Sequence, residues 1–141
     1  PIVVTAQDGA TTQTYNLTIT RNPSAPAHLT SLHMGSDHSP LSPAFVQTAT
    51  SYTTTVPYGV ATTTITPTTR DTSATVTVDG IPVASESASA PIPLNVGVNV
   101  VSIVVTAQNG IATQTYTLTI TRKVSDNAYL KYIHLGADHS P

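Results

Sequence analysis

Val105-Thr106-Ala107-Gln108-Asn109-Gly110-Ile111-Ala112-Thr113-Gln114-Thr115-Tyr116-Thr117-Leu118-Thr119-Ile120-Thr121-Arg122 is the stretch on which the reading of this chain turns. In its second half Ala112, Gln114, Tyr116, Leu118 and Ile120 fall on one face of an extended chain, while Thr113, Thr115, Thr117, Thr119 and Thr121 fall on the other. That alternation is the mark of a half-buried strand. Threonine is β-branched and favours the pleated backbone even where it faces water. Upstream, Val101, Ile103, Val105 and Ala107 share a face in the same way. Between the two runs sits Asn109-Gly110, a pair suited to the positive φ angles of a type I′ turn, so the stretch predicts a β-hairpin.

The same hairpin occurs near the start as Val4-Thr5-Ala6-Gln7-Asp8-Gly9-Ala10-Thr11-Thr12-Gln13-Thr14-Tyr15-Asn16-Leu17-Thr18-Ile19-Thr20-Arg21. The offsets 106 − 5 and 122 − 21 are both 101 residues, the length of a domain and not of a solenoid turn. The expected organisation is therefore a tandem array. Residues 1–21 are read as the closing hairpin of a preceding repeat, 22–27 as a linker, and 28–122 as one complete repeat. Residues 123–127 form a second linker, and 128–141 the opening strand and turn of the next repeat. Closing the period requires a counterpart of residues 41–101, which favours a window on a longer array over two chain ends joined together.

Between the hairpins, further alternating runs predict strands over 28–34, 52–57, 61–67, 74–78 and 81–83. Asp79-Gly80 marks a second tight turn. Pro91-Ile92-Pro93-Leu94 reads as an edge strand, because proline cannot donate to an inner ladder. Residues 95–99 read as a turn, and Phe45, the only Phe, as a plug at one end of the core. About seven short strands, no helical periodicity and closely spaced turn signals predict an all-β, Ig-like antiparallel β-sandwich.

Composition bounds the function. Charged residues make up 9% of the chain and the formal net charge is −2, so there is no basic surface for nucleic acid and no polybasic membrane patch. No apolar run approaches the ~18 residues of a membrane span. With no cysteine, disulfides and Cys-based metal or redox sites are excluded.

Leu29-Thr30-Ser31-Leu32, Leu41-Ser42-Pro43-Ala44-Phe45, Thr50-Ser51-Tyr52, Val56-Pro57, Ala74-Thr75-Val76-Thr77-Val78-Asp79-Gly80 and Leu94-Asn95-Val96-Gly97-Val98-Asn99 precede the closing hairpin in order. Together they resemble the bacterial cadherin-like β-sandwich domain. The resemblance implies a non-enzymatic Ig-like module, strung in tandem in secreted or surface-anchored bacterial proteins. The acidic linker motifs by which true cadherins bind calcium are missing. Only Asp126-Asn127 lies in a linker, with Ala25-Pro26 at that place in the other.

Several residues are candidates for chemistry. His33, Asp37 and His38 recur as His134, Asp138 and His139, and two imidazoles with a carboxylate are ligand types for Zn²⁺ or Fe²⁺. The simpler reading is a turn over 35–40, in which adjacent Asp37 and His38 point apart, so no metal or cofactor is expected. Because the opening strand runs to the far end of the unit, Asp37 and His38 are candidates for contact with the next unit. Asp8, Asn109 and Gly110 are candidates for contact with the preceding one. Tyr58, in Pro57-Tyr58-Gly59, is a lone candidate for carbohydrate or protein binding. No Gly-x-Ser-x-Gly elbow occurs, and Glu86 lies in a Ser-rich loop without a second convergent carboxylate. The chain is therefore read as no enzyme. Asn16-Leu17-Thr18 fits the N-glycosylation sequon, which the second copy lacks.

The expectation is a structural repeat of an extracellular or cell-surface fibre, stalk or large adhesin, partnered by neighbouring repeats and other copies of itself. The alternative is a carbohydrate- or protein-binding module attached to a secreted enzyme or adhesin.

Overall fold

The computed structural model describes residues 1–20, 27–35 and 40–128, and all regular structure among them is β. The strands are β1 (Ile2–Thr5), β2 (Thr12–Tyr15), β3 (Leu29–Met34), β4 (Ser51–Val56), β5 (Thr62–Thr63) and β6 (Ile65–Thr69). They continue with β7 (Thr75–Val78), β8 (Ile81–Val83), β9 (Ile92–Pro93), β10 (Gly97–Thr106) and β11 (Thr113–Arg122). Among the described residues β1 and β2 pair only with each other.

The remaining strands make a sandwich. One layer is a five-stranded sheet in the order β4-β11-β10-β7-β8. The other joins β3 to β6 and β5 to β9, with β5 and β6 separated only by Thr64. Alternation in the sequence becomes alternation in burial. Val101, Ile103, Val105 and Ala107 are buried from β10 and its turn, and Tyr116, Leu118 and Ile120 from β11. Leu29, Leu32, Met34 and Ile65 close on them from the opposite layer, and Tyr52 and Val56 from β4, Val76 and Val78 from β7, and Leu94 belong to the same core. Burying side chains of this size is worth roughly 1.5–3 kcal/mol each, so a core without disulfides can hold the fold.

The sheet is not antiparallel throughout. β4 lies parallel to β11, with Ser51 opposite Thr117 and Val56 opposite Arg122. The chain between β4 and β11 allows this: parallel neighbours need a crossover connection, and β5 to β10, drawn from both layers, lie between the two strands in the chain. Ahead of β4, Ser42 forms an isolated bridge with Thr53. Phe45 is half-buried and stacks on Tyr52, with ring centroids 5.7 Å apart. The Tyr52 hydroxyl donates within the carbonyl pair of Val46 and Ala49, 2.8 and 2.9 Å away.

Local details differ from expectation. Asn109 does not take a positive φ. Gly110 N–H donates to Ala107 O at 2.9 Å and Gly110 alone is left-handed, at φ 71°. The loop is thus a type I turn followed by a left-handed glycine, which widens the connection beyond two residues. The type I′ geometry appears instead at Asp79-Gly80, where both φ angles are positive, 49° and 80°. Lastly, β10 starts at Gly97 inside the expected turn. The Asn99 side chain makes this possible: its Oδ1 accepts from Asn95 N, and its Nδ2 donates to the Asn95, Gly97 and Ile120 carbonyls. The 61–67 run is broken after Thr63, with Thr63 and Ile65 buried as expected.

Candidate interaction sites at the two ends of the sandwich

Two hydrogen bonds orient the unit. Leu29 N–H crosses the sandwich to the Tyr116 hydroxyl at 3.1 Å, so β3 begins over the turn-proximal part of β11. Gly35 N–H donates to Thr64 O at 2.8 Å, so β3 ends beside the β5–β6 break. The Asn109-Gly110 turn therefore marks the end where the chain enters, and Gly35 the end where β11 leaves.

At the entry end Asn109 is exposed and its Oδ1 accepts from Ile111 N and Ala112 N, at 2.9 and 3.1 Å. In the first hairpin Asp8 does the same for Ala10 N and Thr11 N, both at 2.9 Å, and also accepts the Thr11 hydroxyl at 2.5 Å. These bonds favour the carboxylate and bring the Asp8 pKa down to about 2, the Thr11 hydroxyl contributing most. Each side chain is spent on its own turn. What each turn presents outward is backbone and an exposed glutamine, Gln7 or Gln108, together with Ile111, 84% exposed, in the second copy.

At the exit end Arg122 closes the unit. Its Nε and Nη2 donate to Tyr58 O at 2.8 and 2.6 Å, and its Nη1 to Leu94 O at 2.7 Å. The guanidinium also lies 4.9 Å from the centroid of the Tyr58 ring, a cation–π arrangement. One ring face of Tyr58 is thereby taken by the chain itself. The ladder runs one residue further, with Lys123 N–H donating to Val56 O at 2.9 Å.

Of the His33, Asp37 and His38 set, only His33 is described; it is exposed on β3, opposite Thr66. Asp37 and His38 lie outside the described residues, as do His134, Asp138 and His139. Among the described residues no group of three His, Cys, Asp or Glu side chains converges as a metal site. His33 contributes instead to a cleft of about 300 Å³ lined otherwise by apolar side chains, among them Met34, Leu41 and Phe45. Glu86 is exposed in its loop, at φ 65°. No helix of the described residues is long and apolar enough to cross a membrane.

Sequence reasoning missed the cross-sandwich bond of Tyr116 and the clamp of Arg122. The signal for the first was present: a tyrosine on an inward strand position carries a hydroxyl that needs a partner inside. For the second there was only an arginine at the end of an uncharged strand.

The family model described as "Cadherin-like beta sandwich domain" matches residues 29–123, which is most of the chain. No curated protein matches this sequence.

Proposed function

The chain belongs to the cadherin-like β-sandwich family, whose domains are typically extracellular, non-catalytic Ig-like modules, and from that premise we propose that it is a structural repeat. In this reading it is a stiff spacer in a fibre, stalk or large adhesin outside the cell, partnered by neighbouring repeats and by other copies of itself. The observation that carries the reading is the place of β11. The strand leading out of the unit has ten residues and lies between β10 on one side and β4 on the other. A pull on its exit end loads both ladders lengthwise, so many hydrogen bonds resist together and none can be opened one at a time. Arg122 braces the same end through Tyr58 and Leu94. The 101-residue recurrence supports the tandem arrangement, and the small net charge limits repulsion between neighbours.

The test is single-molecule extension of a polyprotein of three repeats, each beginning at residue 22. Expected is a sawtooth whose spacing corresponds to about 95 residues released per peak, roughly 320 Å at ~3.4 Å per residue. Extension without force peaks rules the spacer reading out.

A further inference from the structure

The two hairpins carry the same inward residues and opposite burial. Ile2, Val4, Tyr15, Leu17 and Ile19 are 56, 53, 57, 69 and 82% exposed. Their counterparts 101 positions on, Ile103, Val105, Tyr116, Leu118 and Ile120, are each 0% exposed. The copies differ only as Pro1/Ser102, Asp8/Asn109, Ala10/Ile111, Thr11/Ala112 and Asn16/Thr117. None of those five residues is buried in the second copy. Every position that a covering layer buries is therefore the same in both hairpins. A two-stranded hairpin with such a face uncovered is marginal in water, and a contiguous apolar patch of this kind marks an interaction surface.

We propose that the apolar face and both edges of the β1–β2 hairpin are a docking surface for one occupant, a further copy of residues 27–101 joined to residue 1 as Val101 is joined to Ser102. The proposal rests on the tandem reading above and adds to it the identity of the covering layer and its register. The second hairpin supplies that register. Ile2 and Val4 pair antiparallel with the counterparts of Val78 and Val76, as Ile103 and Val105 do. Leu17 and Ile19 lie in parallel register with the counterparts of Tyr52 and Thr54, as Leu118 and Ile120 do. The Tyr15 hydroxyl accepts the N–H of the Leu29 counterpart, as Tyr116 accepts that of Leu29. Asn16 takes the half-exposed place of Thr117 opposite the Ser51 counterpart, where the outward face accepts either side chain. The first five residues of β10, for which the first hairpin has no equivalent, come from the occupant's own end.

The test compares the 141-residue chain with an extended chain in which residues 22–101 are repeated ahead of Pro1, with amide hydrogen exchange read at both hairpins. In the 141-residue chain the amides of residues 13–19 are expected to exchange freely. In the extended chain they are expected to slow by at least ~100-fold, toward the level of residues 114–120. Leu17→Asp in the extended chain is expected to return residues 1–20 and the added segment to free exchange while residues 27–123 stay protected. In the 141-residue chain the same substitution is expected to leave the melting of residues 27–123 unchanged. Free exchange of residues 13–19 in the extended chain overturns the proposal, as does protection that survives Leu17→Asp. Protection already present in the 141-residue chain also overturns it, because the face then has another occupant, such as a second hairpin. Solution scattering on the extended chain separates the two readings. A protected hairpin in a bent particle defeats the spacer alone, and an unprotected hairpin beside an elongated fold defeats the docking proposal alone.

Discussion

Replacing Tyr116 by Phe removes one oxygen from the middle of the sandwich and leaves the ring where it is. The oxygen accepts the N–H of Leu29 at 3.1 Å, and both residues are 0% exposed. The β3–β6 ladder is no substitute acceptor, because its register slips between Leu29 and Ser31. A buried donor left without a partner costs about 1–3 kcal/mol. In a domain of this size each kcal/mol moves the melting temperature by roughly 4–8 °C, so Tyr116→Phe is expected to lower Tm by roughly 4–24 °C. Tyr15→Phe provides the control within the same chain, since Tyr15 is 57% exposed and the change should stay within ~0.5 kcal/mol. The assay is urea unfolding followed by far-UV circular dichroism, with calorimetry on the same samples. A shift of midpoint at constant m-value identifies a change in stability of the folded unit. A Tyr116→Phe variant as stable as the parent, or a Tyr15→Phe variant equally destabilised, would refute the reasoning.

Thr54 is 6% exposed and its hydroxyl has no partner among the described residues, so Thr54→Val should stabilise the sandwich by about 1 kcal/mol in the same urea assay. Arg122→Met removes the bonds to Tyr58 O and Leu94 O and should cost about 1–2 kcal/mol; Arg122→Lys should recover only part of this, because a single ammonium cannot reproduce the planar fork. Asp8 has a folded pKa lowered from 3.8 to about 2, so its turn is favoured above pH 3.8 and that contribution is lost as pH falls through about 2. A side-chain carboxyl NMR titration reads this directly, with Asp8→Asn giving a turn that no longer responds to acid, as expected of Asn109.

How much of this was legible in the sequence follows from what is local. The inward faces of β10 and β11 could be read because alternation is a property of neighbours along the chain, and Val101 through Ala107 and Tyr116 through Ile120 are buried accordingly. The pairing of β4 with β11 could not be read, because partner choice depends on where a long segment lays the chain down, and Tyr52-Thr53-Thr54-Thr55-Val56 alternates alike on either edge. Turn type was only half legible. Asn109-Gly110 and Asp79-Gly80 are equally suited to a tight turn, yet the ladder ends at Thr106 and Thr113 around the first and at Val78 and Ile81 around the second. That spacing decides which residues take positive φ. Among the candidate contact residues, Asn109 and Asp8 look available in the sequence, but their side-chain oxygens are spent on their own turns. Tyr58 looks like an open aromatic, yet Arg122 lies over one face of it.

The anchored ends of the sandwich bear on stiffness more directly than linker composition does. On the entry side the β3–β6 pairing reaches back to residue 28, since Arg70 N–H donates to His28 O at 2.8 Å. On the exit side Lys123 N–H donates to Val56 O at 2.9 Å, one residue beyond the end of β11. Adding the repeat length to the entry anchor, 28 + 101 gives 129, so under the tandem reading only residues 124–128 separate one anchored point from the next. The six residue steps from 123 to 129 span at most about 22 Å fully extended, less than the length of a unit whose long strands have ten residues each. In such an array neighbouring ends would lie close enough to touch, and bending would be limited by contact between the end loops as well as by the linker itself. Among the described residues those ends are Gly35, Pro57-Tyr58-Gly59 and residues 95–96 on one side, and the Asn109-Gly110 turn with Ile111 on the other. The copies differ at that turn, Asp8 for Asn109 and Ala10 for Ile111, while the residues that fix its position are the same. Under the tandem reading proximity would thus be set by the shared core, and the chemistry of each joint would vary from unit to unit.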